Sequence, residues 1–527
     1  MTTCTIIKLS KIGRNNMLST AHHPHIVVIG SGLGGLTTAV VLAKNGYRVT
    51  VLEQERQAGG CLQCFRRRGV KFETGMHFIG SALPDQSLDR LFHYLEMGDD
   101  VKLSQLDTKQ YNVIGLGGHD FVMGNGREAF IEGLAKDFPT QRDALDRYYA
   151  LVQKVAGASS LHSLRHAESD DVVSKEYLTR SVNEVIDSTV SDPLLANVLV
   201  GDLPLYAAEK GKTPFATHAF IRDFYDQSAF RVIDGSDHIA QALIATLQRY
   251  GGEVLTGHRV TRILCDATHA TGVEVNGEEY FEADYIISDA HPIRTLELTD
   301  SALIRPAYRH RVNAMPQTVG CFTLYLDFKP QSVPYMNYNY FGYQGASPWD
   351  CEQYTADSWP RGYLYMHFCH EAQPRWAQSG QIISYMNISD VLPWKDTTVG
   401  HRGADYEALK RRKADQLLQC VEQRFPGLRG CIAHCYTSTP LTYLDYTGTA
   451  AGSMYGIAKD IGLGAGCRVS HRTRIPNLFL TGQNINSHGM LGVMVGTIVT
   501  CSEFLTAEKI YQQIQSCTDS GGRNSQP

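Results

Sequence analysis

The chain has 527 residues, 43% of them hydrophobic and 20% charged, with a formal net charge of −5 at pH 7. That balance suits a soluble globular protein of two or three domains and excludes a dedicated nucleic-acid binder, which would carry a basic stripe. Thirteen cysteines, odd in number and scattered, exclude a secreted disulfide framework and point to a reducing, cytoplasmic setting.

Residues 1–23 lack the apolar core of a secretory signal, and no apolar run in the chain reaches the ~18 residues of a membrane span. This start is expected to be disordered, with Met1 and Met17 both candidate first residues. Order begins at "IVVIGSGLGGLTTAVVLAKNGYRVTVLEQ". The apolar, β-branched run Ile26–Ile29 reads as a strand buried on both faces. Gly30, Gly32 and Gly35 form G-x-G-x-x-G, followed by a helical stripe ending at Asn45-Gly46 and a strand over Arg48–Leu52. Glu53 follows Gly35 by eighteen residues. An acid at the end of the second strand can bind both ribose hydroxyls and disfavours a 2′-phosphate. Strand, glycine turn, helix and acid together predict a dinucleotide site, with the helix N-terminus facing the phosphates. FAD and NAD remain open at this point.

Gly59 and Gly60 form a second glycine turn, and Val70–Gly80 alternates as a strand into a turn. Residues 87–230 read as mostly helical, with strands over Tyr111–Val122 and a buried helix through "SDPLLANVLVGDLPLYAAE". Residues 231–291 form another α/β piece whose last strands would return to the nucleotide sheet. Residues 292–467 are aromatic, proline-broken and strand-rich, the sheet of a second domain. In 468–510 a strand at Leu478–Leu480 precedes a helix starting near Gly489, and 511–527 is expected to be a flexible tail. No second strand–G-x-G-x-x-G–helix unit occurs, so one nucleotide is predicted and nothing marks the electron donor or acceptor.

Four stretches in this order resemble the FAD-dependent amine-oxidase and phytoene-desaturase superfamily: the Gly30–Gly35 loop with Glu53 and Gly59-Gly60; "FETGMHFIG"; "SDHIAQAL…GGEV…RVTRI"; and "PNLFLTGQNINSHGMLGVMVG". Within it they are most similar to the branch of retinol saturases, carotenoid isomerases and phytoene desaturases, over roughly Pro24 to Leu505. The resemblance implies an α/β fold: a Rossmann-like FAD-binding domain of the amine-oxidase type, assembled from the separated segments 24–86, 231–291 and 468–510, with an inserted α+β substrate domain. It implies non-covalent FAD, held by Gly30, Ser31, Gly32, Gly34 and Gly35 at the pyrophosphate and by Glu53 at the ribose. Gly59 and Gly60 would border the cofactor, Val260 the adenine, and Gly482, Gln483, Met490 and Leu491 the flavin. "IDGSD" departs from the proline and paired glycines that often precede the middle helix in this family.

His77 and His488 are the candidate catalytic residues, since an imidazole can move a proton while flavin N5 handles hydride. Each can equally be a packed, structural histidine. Glu73 is assigned to organising the backbone, and Arg66–Arg68 to a solvated face. Cys61-x-x-Cys64 has no second pair, so no metal site is expected. Aromatic residues from Tyr335 to Tyr343 would face the flavin across a lipophilic substrate, with Tyr363 and Tyr365 close by in sequence and β-sheet core as the competing use. The expected activity is oxidoreduction at C=C or CH–CH bonds of a retinoid- or carotenoid-type polyene. The substrate would be reached by peripheral membrane contact through 87–230. The alternatives are a flavin amine oxidase, a porphyrinogen-type oxidase, or a prenyl-protein binder of the GDP-dissociation-inhibitor type; an intact flavin segment with Glu53 disfavours the last.

Overall fold

Five parallel strands, in spatial order Glu253–Thr256, Arg48–Glu53, His25–Ile29, Tyr285–Ser288 and Leu478–Leu480, make the first sheet of this computed structural model. The model describes residues 24–521 except 99, 165–174 and 373. The start expected to be disordered, 1–23, lies outside the described residues. Along the central strand the side chains alternate between two cores, as a doubly buried strand requires. Ile26 and Val28 pack with Leu36, Leu243 and Met494 from the helices Leu33–Lys44, Asp237–Arg249 and Gly489–Cys501. Val27 and Ile29 pack with Val260, Ile263 and Val273, under a three-stranded antiparallel sheet. The sheet draws its strands from three separated stretches of chain, the α/β assembly that the sequence implies.

A seven-stranded sheet builds the second domain, in the order Ile432–Ser438, Gly320–Phe328, Ser379–Met386, Gly362–Phe368, Asn339–Tyr343, Asn112–Leu116 and His119–Met123. The last two strands are those expected over Tyr111–Val122 within the mostly helical stretch 87–230; Asn112–Leu116 pairs in parallel with Asn339–Tyr343. Helices of 87–230 and strands of 292–467 are therefore one body. On one face Leu417 and Val421 of the Ala404–Glu422 helix, which the strand-rich reading of that region missed, pack on Phe322, Leu324 and Tyr365. Helices including Arg142–Gly157 and Phe215–Gln227 cover the other face, over Leu364, Met366 and Tyr385.

Two further expectations change. The buried helix through "SDPLLANVLVGDLPLYAAE" stops at Leu199, and just beyond it the chain passes close to Ile114 at Gly201, where a Cβ would enter that side chain. The tail expected to be flexible from 511 continues the helix Ala507–Gly521. Ile510, Tyr511 and Ile514 are buried in the cofactor-domain core, and Tyr94 donates to Gln513 at 2.9 Å.

The helical layer holds a fully buried charge cluster. Arg222 donates to Asp202 and, at 2.7 Å, to Asp226, while the Tyr111 hydroxyl donates to Asp226 at 2.6 Å. Arg222→Met keeps the volume but leaves two carboxylates buried without a cation. It should cost about 3–5 kcal/mol, measured by denaturant unfolding of the flavin-free protein. An unchanged midpoint would remove the cluster from the stability of this layer.

Candidate active site

One cavity of about 560 Å³ runs from the C-terminal edge of the parallel sheet to the seven-stranded sheet. At its first end the chain turns sharply at Gly30, whose φ of +93° suits glycine. Gly30, Gly32 and Gly34 line the cavity, as do Gly59 and Gly60 of the second turn. A Cβ on Gly34 would sit 2.6 Å from the Cα of Gly482, so only glycine lets the two loops meet. Gly35 and Gly482 stand just behind the wall: a Cβ on Gly35 would enter the Gly30 carbonyl, and one on Gly482 the Asp289 carboxylate.

Glu53 and Val260 line the same end. Glu53 Oε2 accepts from the Ser31 N–H at 2.9 Å and the Ser31 hydroxyl at 2.5 Å, and Oε1 accepts from the Glu55 N–H at 2.8 Å. Ser31 is fully buried and is not part of the lining; its hydroxyl also accepts from the Gly59 N–H at 3.1 Å. Here Ser31 orients Glu53 and ties the two glycine turns together. Gln483 and Met490 line the cavity, and Leu491 is buried behind them. A narrow glycine cradle at a helix N-terminus, with a carboxylate beyond it, fits the pyrophosphate and ribose of a dinucleotide.

His77 lines the middle of the cavity, and its Nε2 is buried without a hydrogen-bond partner. Burial and the nearby Arg231 guanidinium push its pKa down to about 4, so the imidazole is neutral at physiological pH. His488 lies elsewhere. It is 2% exposed, outside the cavity lining, with its ring 4.8 Å from that of Tyr455, which does form the wall. It occupies the N-cap position of the Gly489–Cys501 helix without a side-chain capping bond. Burial and Lys459 push its pKa down to about 3. Of the two histidines, only His77 reaches the cavity.

The aromatic wall differs from the expected one. Tyr335, Tyr338 and Tyr340 belong to the core on the opposite face of the seven-stranded sheet, where Tyr340 meets Tyr363 and Phe425; of the expected tyrosines only Tyr363 also reaches the cavity lining. Tyr365 packs on Phe425 in the same core, and the Tyr343 hydroxyl is taken by the Gly201 carbonyl. Strand alternation sends Leu364, Ile383 and Tyr385 toward the cavity instead, with Leu205 and Tyr225 from the helical layer. Tyr443 and Tyr455 complete the wall, the first donating to the Thr74 carbonyl at 3.1 Å and the second to the Pro204 carbonyl at 3.0 Å.

Cys61 faces the cavity with its thiol pushed up to about 11 by burial, while Cys64 is buried and donates to Glu73 at 3.2 Å. Glu73 also accepts from the Ser236 N–H at 3.1 Å, and so joins two backbone segments. Arg66–Arg68 are exposed. The sequence reading missed Asp289, which lines the cradle from the first position after the Tyr285–Ser288 strand. The C-terminal end of a strand beside the first one was the available signal, since open parallel sheets bind their ligands there.

A split parallel sheet, a glycine cradle and an adjoining apolar chamber define a dinucleotide-dependent oxidoreductase. The chain belongs to the flavin containing amine oxidoreductase family, whose pattern matches residues 33–361, and its cofactor is FAD. It is 30% identical to the all-trans-retinol 13,14-reductase of Rattus norvegicus, across 93% of this chain and 87% of that one. Identity to prolycopene isomerase 1, chloroplastic, of an Oncidium hybrid cultivar is 23%, across 92% and 84%. The fold matches the solved structure of wild-type putrescine oxidase bound to putrescine with a TM-score of 0.60, at 15% identity, covering 95% of this chain and 99% of that one.

Gly34→Ala should therefore yield protein with almost no flavin. Glu53→Ala, which loses charge-assisted acceptors, should bind FAD about tenfold more weakly or worse. The flavin released on denaturation measures both, and full flavin content in either variant would count against this placement.

Proposed function

We propose that this flavoenzyme acts on a C=C or CH–CH bond of a lipophilic polyene of the retinoid or carotenoid class. The observation that carries the reading is the chamber beyond the cradle. It is walled by Leu205, Leu364, Ile383 and Tyr385, with no acid among the residues of the seven-stranded sheet that reach the lining; of the acids elsewhere in the lining, Glu297 is paired with Arg294 and Asp445 with Arg402, while Glu53 and Asp289 belong to the cradle. An ammonium substrate would leave its charge uncompensated there, whereas a hydrocarbon chain loses nothing by leaving water. The retinol reductase and the prolycopene isomerase, both similar along most of their length, support the same substrate class by their names. Saturation is the direction we favour, because the more similar of the two is a reductase.

Bound FAD supplies hydride exchange. The chain's own residues do the rest. The apolar wall strips water from the polyene and fixes which carbons lie beside the cofactor. A neutral imidazole holds one N–H and one free lone pair, so His77 can exchange a proton with a carbon beside it. The tyrosines of the wall, with hydroxyls committed to the Thr74 and Pro204 carbonyls, position rather than titrate.

Among the described residues no helix is long and apolar enough to cross a membrane, so a polyene substrate would be collected at a lipid surface by peripheral contact. Flotation with neutral liposomes at low salt should recover a bound fraction; none at any lipid concentration would contradict this route.

His77→Gln should keep its FAD and lose about 10²-fold in turnover, while His488→Gln, being outside the cavity, should stay near the parent rate. Near-normal turnover of His77→Gln on an identified polyene would assign the proton to water or to a tyrosine.

A further inference from the structure

A carboxyl group stands in the cradle itself, between the two glycine loops. The Asp289 N–H donates to the Ile29 carbonyl at 2.8 Å, which pins the residue beside the first glycine turn. A Cβ on Gly32 would run into its Oδ2, and one on Gly34 or Gly482 into its Oδ1. The side chain thus fills the notch between the two glycine loops and takes the Gly35 N–H at the helix N-terminus. Among the described residues it has no ion-pair partner within 4.0 Å. Helix N-terminal N–H groups of this kind are also the donors that a pyrophosphate uses.

From this position we infer that Asp289 holds the cradle until FAD arrives, and that seating the pyrophosphate requires its carboxyl to be protonated. Two anions on one set of N–H donors repel each other, and a protonated Asp289 removes the conflict while offering an O–H to a phosphate oxygen. The surroundings favour that proton. Burial, with Glu53 of the Arg48–Glu53 strand adding to it, lifts the Asp289 pKa to about 7. Two other titratable groups around it stay neutral across neutral pH. Cys61, from the second glycine turn, is a thiol with its pKa pushed up to about 11, and His291, on the following segment, is neutral with its pKa pushed down to about 4. Arg294, one turn further, is engaged with Glu297 at 2.6 Å. Gly30–Gly34 and Gly482–Gln483 bring no ionisable side chain.

The sign follows from linkage. If bound FAD requires the protonated acid, affinity is independent of pH below about 7 and falls about tenfold per unit above it. The inference rests on the FAD assignment and is independent of the polyene reading. Flavin-free protein is titrated with FAD by fluorescence quenching from pH 6 to pH 9, beside Asp289→Asn and Asp289→Ser. Calorimetry in two buffers of different ionisation enthalpy counts protons at pH 8. Tight binding at pH 6 checks the cofactor site itself. The parent should bind about 100-fold more weakly at pH 9 than at pH 6 and take up close to one proton at pH 8. Both variants should lose that slope and bind more tightly than the parent at pH 9. A flat parent profile, no proton uptake, or the same slope in a folded variant overturns the inference. Should neither variant fold, the parent's proton count decides it.

Discussion

The contact between Gly34 and Gly482 is the constraint on which the rest of the molecule depends. It brings the first loop of the chain against a loop more than four hundred residues later, at a distance where any side chain would clash. The strand carrying Asp289 is held between them, so three remote stretches must converge on one edge of one sheet. A domain closed in this way leaves its intervening chain to be placed elsewhere. Here that chain builds the seven-stranded sheet, which stands over the cradle and extends its cavity into an apolar chamber. Cofactor and substrate sites are continuous because the second domain is inserted through the first.

Burial sets the electrostatics of this continuous space. Neutral forms are favoured wherever water has been removed: His77 and His488 are driven below the usual histidine range, and Cys61 stays a thiol. Carboxyl groups that stay buried have donors: Glu53 is held by three, and in the cluster of the helical layer Arg222 reaches both Asp202 and Asp226. A cavity polar at one end and uncharged at the other sorts a molecule by its own polarity. The anionic cofactor belongs at the glycine end and a hydrocarbon at the sheet end.

Local signals carried the first half of this account. Glycines at 30, 32 and 35, an acid at 53 and a helix beginning at Gly489 follow from turn geometry and short-range spacing, and the structure has each of these features. What depended on long-range packing was not legible. Alternation in Asn339–Tyr343 shows that its tyrosines divide between two faces, but not which face meets the cofactor. Tyr385, Tyr455 and Asp289 come to line one cavity only when the inserted domain closes over the sheet. The Ala404–Glu422 helix was hidden by its many charges, although Leu417 and Val421 hold the helical spacing that buries it. The last helix was mistaken for a loose tail because its anchoring residues, Ile510 and Ile514, are only two per turn-and-a-bit against a polar background.

The central claim is that the FAD held by this cradle exchanges electrons with a polyene double bond. Anaerobic single-turnover mixing of the chemically reduced holoenzyme with all-trans-retinol, followed by flavin absorbance and product mass, tests it most directly. The account predicts reoxidation of the flavin matched by a product heavier by two hydrogens. Flavin that stays reduced with retinol and with carotenoids, in an enzyme whose oxidised form is instead reduced by an amine such as putrescine, would contradict it.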